Sequence, residues 1–212
     1  MPSEKLINAL KKGVKQLSLF LTDQQLIMLV NYIELLVKWN KAYNLTAVRD
    51  PVDMVSRHIL DSLSIAPYVN GRKILDVGSG PGLPGIPLAI MYPERQIFTL
   101  DSNGKKTRFM QQAKLDLGLD NVTVVNTRVE EYKPDFCFDV ITSRAFSSLQ
   151  DMVKNTRHLI CSEGIYMAMK GVYPEEELVK AEAISGTTLQ KIVELSVPGR
   201  YEKRCLVVLK NA

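Results

Sequence analysis

The sequence predicts an α/β protein: a doubly wound sheet, mostly parallel, closed by an antiparallel C-terminal hairpin and preceded by an N-terminal helical extension. Three observations predict it. From about residue 70 onward, apolar runs of strand length alternate with segments of helical period. The run Ile74-Leu75-Asp76-Val77 passes directly into Gly78-Ser79-Gly80-Pro81-Gly82-Leu83-Pro84-Gly85, and Ile86, Leu88, Ala89 and Ile90 then continue as a short helix. Residues 1–69 carry helical periodicity instead, which places the boundary between a helical extension (1–69) and one compact unit (70–212).

The extension begins with Leu6, Leu10, Val14 and Leu17 on one helical face. Thr22-Asp23 offers an N-cap for a second helix, whose apolar face runs through Leu26, Leu29, Val30, Ile33, Leu36 and Val37 to Trp39 and Tyr43. That aromatic pair reads as packing rather than as a base-stacking platform. Asn44-Leu45-Thr46 ends the helix, and Asp50-Pro51 starts a short one leading into Arg57-His58-Ile59-Leu60-Asp61-Ser62. Polar groups crowd this last stretch, either as a local ion pair and cap or as an edge that faces a substrate.

Beyond the glycine turn, 96–101 reads as the second strand, ending on Asp101, and a helix carrying Phe109, Met110 and Ala113 closes at Gly118. Strands follow at 122–125, 136–142 and 163–171, with a helix over 149–159 and another over 174–184. Strands near 189–197 and 205–210 form the final antiparallel pair.

Alternate glycines cannot continue a strand, because they lack the side chains a strand packs with and readily take positive φ. Backbone without side chains lets a ligand approach closely. A phosphate-cradling P-loop would need Gly-Lys-Ser/Thr at the helix start, and none is present. Gly80, Gly82 and Gly85 satisfy G-x-G-x-x-G, so a nicotinamide dinucleotide competes with S-adenosylmethionine. Asp76 favours the latter, since a carboxylate there suits a cationic amino-acid end and would repel a pyrophosphate. Asp101 is placed to accept both hydroxyls of a ribose, a geometry common to both ligands. Residues just past a central parallel strand reach the ligand crevice, so the backbone around Val129 and Glu130 is placed to read an adenine edge. Arg144, at the end of the fourth strand, lies on the same side.

The chain has 212 residues, 46% of them hydrophobic and 24% charged, as a folded soluble protein requires. Three scattered cysteines, Cys137, Cys161 and Cys205, form no C-x-x-C, and read as reduced core residues. Two histidines are too few for a histidine-rich metal site, so no metal is expected. The charged N-terminus lacks a signal peptide's apolar region and no run reaches membrane-spanning length, which reads as a cytoplasmic protein with no membrane partner. Net charge is +4, concentrated at the ends: residues 1–72 hold nine Lys/Arg against six Asp/Glu, and 199–212 hold four against one. If the two ends meet, they form a basic rim beside the ligand.

Taken together, Trp39-Asn-Lys-Ala-Tyr-Asn-Leu-Thr46, Arg57-His-Ile-Leu-Asp-Ser62, Leu75 to Gly85, Arg128-Val-Glu-Glu131, Ser143-Arg-Ala-Phe146 and Met169-Lys-Gly171, in this order, resemble the small-subunit ribosomal RNA methyltransferase G family, also called glucose-inhibited division protein B. The resemblance covers nearly the whole chain. It implies a class I S-adenosylmethionine-dependent methyltransferase, Rossmann-like in fold, that methylates N7 of one guanine in bacterial 16S ribosomal RNA. It implies cofactor contacts at Gly78, Leu83, Val129, Glu130 and Arg144, to which the glycine turn adds Gly80 and the class adds Asp101. Small departures (Ser79, Met169, Cys205) leave the assignment intact.

Guanine N7 carries a free lone pair at neutral pH, so no general base is required and no catalytic residue is assigned; orientation is the expected source of rate. Arg57, Lys105, Lys106, Lys170, Arg200 and Arg204 are the candidates to meet RNA phosphates. A monomer is expected. A small-molecule methyltransferase, a non-catalytic cofactor-binding regulator and a dinucleotide oxidoreductase are the competing readings; the basic ends argue against the first.

Overall fold

The computed structural model describes residues 3–144, 146, 148–171 and 187–211. Seven strands form one sheet: β1 (Lys73–Val77), β2 (Gln96–Leu100), β3 (Val122–Val125), β4 (Phe138–Ser143), β5 (Ile160–Lys170), β6 (Thr187–Glu194) and β7 (Cys205–Asn211). Their order is β3-β2-β1-β4-β5-β7-β6. The first five are parallel, whereas β7 runs antiparallel to both β5 and β6. The expected doubly wound sheet with a terminal hairpin is therefore present. The helix expected over 174–184 lies outside the described residues.

Period-2 alternation in β1 sorts the two faces. Ile74 belongs to the larger core cluster, while Leu75 and Val77 belong to the smaller one on the opposite face. Helices α1 (Glu4–Gln16), α2 (Asp23–Tyr43), α5 (Gly85–Met91) and α6 (Gly104–Leu117) contribute to the larger cluster. Helix α7 (Leu149–Thr156) covers the smaller one through Leu149, Met152 and Val153. The N-terminal helices thus share one core with the sheet: Leu10, Leu29 and Ile33 are fully buried in the same cluster as Ile74, Ile97 and Val122.

Local chemistry sets the helix ends. Thr22 and Gln25 form a capping box at the start of α2, and Asn44 ends it in the left-handed conformation at φ 50°. Asp50 caps α3 (Pro51–Met54) by accepting the N–H groups of Val52 and Asp53, with Pro51 at the first turn. Helix α3 then widens into a π-helical turn, Val55–Leu60, before α4 (Asp61–Leu63). No periodicity in the sequence signals this change of pitch, and such turns concentrate at functional sites. With it, consecutive residues 58–63 are all buried, so His58, Asp61 and Ser62 turn inward together.

The cysteine expectation is corrected. Cys137 and Cys161 are joined in a disulfide, and only Cys205 is a buried thiol. The two cysteines are 24 residues apart, so no local motif flags them. They meet because β4 and β5 are neighbours that pair Phe138 with Ile160.

Helix α2 also reaches the glycine turn. The Tyr32 hydroxyl donates to the Pro81 carbonyl at 2.8 Å. Burial raises the Tyr32 phenol pKa, which keeps that donor protonated. Tyr32→Phe preserves the ring but leaves a buried carbonyl unpaired, and is expected to lower stability by about 1–3 kcal/mol in urea unfolding.

Candidate functional site

Ligands of doubly wound sheets bind outside the carboxyl ends of the strands, where the strand order reverses. Here that point is β1, flanked by β2 and β4. A hollow of about 550 Å³ opens there, within the range of small-molecule sites. Gly78 follows β1, Asp101 follows β2, Val129 and Glu130 follow β3, and Phe146 follows β4; all five line it, together with Lys106. Another hollow of about 640 Å³ lies at the opposite edge, lined by Arg72, Asp139 and Gly164, where this fold does not place its ligand.

The glycine turn is shaped from below. Gly78 and Ser79 donate their N–H groups to the Leu100 carbonyl at 2.8 and 3.1 Å. Gly78 and Gly80 take φ of +67° and +60°, and a Cβ added at either meets nothing within 4 Å. The space a side chain would fill is left open above the backbone, as a close-lying ligand requires. Gly85 has no such room: an added Cβ would come within 2.6 Å of Thr99 Cγ2 and 2.9 Å of Asp76 Oδ2.

Two buried carboxylates hold this turn. Asp101 Oδ2 accepts the Gly80 N–H at 2.9 Å and pairs with Lys106 Nζ at 3.3 Å, while Oδ1 accepts the Asn103 N–H at 2.9 Å. A carboxylate offers about four acceptor positions, so Asp101 holds the loop and keeps capacity at the cavity wall. Asp76 differs from the expectation. It does not line the hollow; it is fully buried, with Oδ2 accepting the Gly85 N–H at 2.8 Å. The reason is the strand alternation, which turns Asp76 to the same face as Ile74, beside its cross-strand neighbour Thr99.

The 3₁₀ turn Val129–Glu131 opens the third side of the hollow. The first N–H groups of such a turn have no acceptor within it, which suits Val129 and Glu130 to an adenine edge. Of the other expected cofactor residues, Gly80 and Leu83 do not line the hollow. Gly80 is buried with its N–H on Asp101, and Leu83 is a core residue whose N–H goes to the Ser79 carbonyl at 2.8 Å.

Arg144 lies apart from this hollow. Its Nη1 donates to Asp61 Oδ2 at 3.3 Å and to the Arg57 carbonyl at 3.2 Å. Arg204 meets the same carboxylate with two bonds, Nε to Oδ1 at 2.8 Å and Nη2 to Oδ2 at 3.1 Å, and Arg200 Nη1 reaches Oδ1 at 3.3 Å. Asp61 is fully buried. His58 lies beside it, and burial, with the Arg144 charge adding to it, pushes its pKa down to about 4, so the ring is neutral at pH 7. The two ends of the chain therefore do meet: Arg200 and Arg204 reach Asp61, and Arg57 reaches Glu202 at 3.2 Å. Lys170, by contrast, ends β5 opposite Cys205 and lines neither hollow, while Lys106 belongs to the Asp101 side. The sequence offers Asp61 as an ion-pair candidate but gives no sign of which arginines it holds, because they come from 83 to 143 positions away.

Burial pushes the Asp76 carboxyl up to about 7, against which the Gly85 N–H and the Arg144 charge act only in part. In the unfolded chain the same group has its ordinary value of 3.8. Between the two values the folded state holds more protons, so this group's contribution is greatest below about pH 4 and falls as pH rises toward 7. The slope is about 1.4 kcal/mol per pH unit. Asp76→Asn is expected to flatten stability across that window, read as denaturation midpoints at pH 4–7.

Comparison with known proteins agrees with this geometry. The family model described as rRNA small subunit methyltransferase G matches residues 25–207. The protein of that name from Stutzerimonas stutzeri is 54% identical over 211 residues, covering 99% of this chain and 97% of its own. The one from Psychromonas ingrahamii is 50% identical over 206 residues, covering 97% and 99%. Among solved structures, a SAM-dependent methyltransferase from Aquifex aeolicus superposes with a TM-score of 0.61 at 19% identity, over 82% of this chain and 97% of that one. M. jannaschii TYW2, solved in complex with AdoMet, gives 0.56 at 12% identity, over 74% and 78%. These two likenesses concern the fold.

Proposed function

The chain belongs to the rRNA small subunit methyltransferase G family, and we propose that it transfers a methyl group from S-adenosylmethionine to N7 of a guanine in small-subunit (16S) ribosomal RNA. The observation that carries the cofactor assignment is the hollow over the open glycine backbone. It brings Gly78, Asp101, Val129 and Glu130, from three successive strand ends, around one volume.

In this reading Asp101 takes the ribose hydroxyls, with Lys106 yielding its place on the carboxylate. The backbone of Val129 and Glu130 takes the adenine edge, and Gly78 and Gly80 let the amino-acid portion lie against the turn. Leu83 supports the turn from the core. Phe146 offers an aromatic face at the wall on which a base can stack.

S-adenosylmethionine, when bound, supplies a sulfonium-activated methyl group. The protein's own task is placement. Guanine N7 brings its own lone pair, so the chain need not remove a proton before attack, and rate comes from holding N7 in line with the bond that breaks. The purine product is cationic, and a carboxylate or backbone carbonyl beside N7 would favour that charge. A target base inside structured RNA must be unstacked to enter. We infer a monomer working in the cytoplasm, where bacterial ribosomal RNA lies. Among the described residues no helix is long and apolar enough to cross a membrane.

The test is methyl transfer from labelled S-adenosylmethionine to free small-subunit rRNA, to intact small subunits and to no RNA, followed by nucleoside separation. Label in N7-methylguanosine is expected; label in another nucleoside overturns the assigned position, and label in no RNA overturns the substrate class. Asp101→Asn is expected to weaken S-adenosylhomocysteine binding by at least about tenfold, the scale of one charge-assisted hydrogen bond, in calorimetric titration.

A further inference from the structure

Asp61 presents an imbalance that folding alone does not explain. One buried carboxylate gathers Arg144, Arg200 and Arg204, whose side chains are 22%, 16% and 12% exposed. At the rim, Glu202 pairs with Arg57 at 3.2 Å and with Arg200 at 3.4 Å. Among the described residues, four guanidinium groups thus face two carboxylates, one of them at the solvent edge. Like charges this close, partly shielded from water, repel strongly unless an anion joins them.

The cluster is also a hollow rather than a filled core. A volume of about 270 Å³ is lined by Arg57, His58, Asp61, Arg144, Arg200 and Arg204, with Val48. His58 is only 5% exposed, and its Nδ1 is buried with no hydrogen-bond partner within bonding geometry among the described residues. Its Nε2 lies 2.8 Å from Thr46 Oγ1, which already accepts the Val48 N–H. A hydroxyl oxygen can accept twice, so this contact fits either ring tautomer; with the ring proton on Nδ1, His58 is a further donor to the hollow.

The hollow lies on the ligand edge of the sheet. Arg144 follows β4 directly, two residues before Phe146 of the cofactor hollow, and Arg204 precedes β7 beside the end of β5. The arginines divide by geometry. Arg204 meets Asp61 with a two-bond fork and is an anchor, whereas Arg144 and Arg200 each present a single nitrogen to Asp61 at 3.3 Å. Arg57 is half-exposed at the mouth.

We propose that this hollow is a phosphodiester subsite: Asp61, anchored by Arg204, holds Arg144 and Arg200 in place, and these with Arg57 and His58 receive one backbone phosphate of the RNA strand next to the target guanine. Guanidinium groups match the oxygens of a phosphate with paired N–H groups. Glu202 at the rim occupies Arg57 and Arg200 until the phosphate takes its place. The inference rests on the RNA substrate proposed above.

The experiment measures binding of a small-subunit rRNA fragment to the full chain across a salt series, with S-adenosylhomocysteine affinity and melting temperature as parallel readouts. Arg200→Gln and the more exposed Arg57→Gln are expected to weaken RNA binding roughly tenfold or more. The two substitutions combined are expected to reduce the log–log salt slope by about 0.7, the single-strand value for one phosphate, and each alone by part of that. S-adenosylhomocysteine affinity should stay unchanged. Arg200→Lys should restore the slope but not the full affinity. Weakened RNA binding with an unaltered slope would show a merely structural role and overturn the subsite. So would unaltered RNA binding in both variants, or a loss confined to S-adenosylhomocysteine, which would assign the arginines to the cofactor. A wild-type chain that binds S-adenosylhomocysteine but neither binds nor methylates RNA would overturn the functional reading, and this subsite with it.

Discussion

The glycine turn after β1 is held by buried carboxylates, and the ligand edge of the protein depends on that arrangement. Asp101 grips the Gly80 N–H and Asp76 the Gly85 N–H, so both ends of the turn are fixed to neighbouring strands. Tyr32 adds a third tie at Pro81 from a helix in the N-terminal extension. A backbone freed of side chains is intrinsically loose. Here hydrogen bonds from groups with little rotamer freedom replace the stiffness that side-chain packing would give. The same bonds satisfy buried N–H groups that would otherwise be unpaired.

Asp76 and Asp101 lie one strand apart yet differ in chemistry. Asp101 is bound by two N–H groups and a lysine at the cavity wall. Asp76 has one N–H partner and a second oxygen that is buried without one, and burial raises its pKa accordingly. Desolvation opposes the charged form of Asp76. The sheet thus keeps Asp101 at the cavity wall and Asp76 buried beneath the turn.

A second hub joins segments far apart in the chain. The π-helical turn brings His58 and Asp61 inward, and the loop before β7 brings Arg200 and Arg204 to them. The sheet order makes this possible, because antiparallel β7 starts where parallel β5 ends. The N-terminal extension is therefore tied to the carboxyl edge of the sheet at two places, Tyr32 to the turn and Asp61 to the arginines. Motion of the extension relative to the sheet would disturb both, and the apolar faces buried in the shared core oppose such motion.

The sequence by itself determined the strand and helix order, the glycine turn and the family, because these rest on period, turn chemistry and motif spacing within a few residues. It also located Asp101, Val129 and Glu130, since residues just past parallel strands must face the crevice. Tertiary structure decided the rest. Asp76 turned inward because the pleat of β1, not the residue's charge, sets which face it meets. Cys137 went to Cys161 because strand neighbours, not sequence neighbours, bring their side chains together, and Arg144 meets Asp61 because helix α4 comes to the end of β4 in the fold. Charge counts located basic ends, but only the tertiary structure brings Arg200 and Arg204 of one end to the buried Asp61 of the other, a contact between elements up to 143 residues apart.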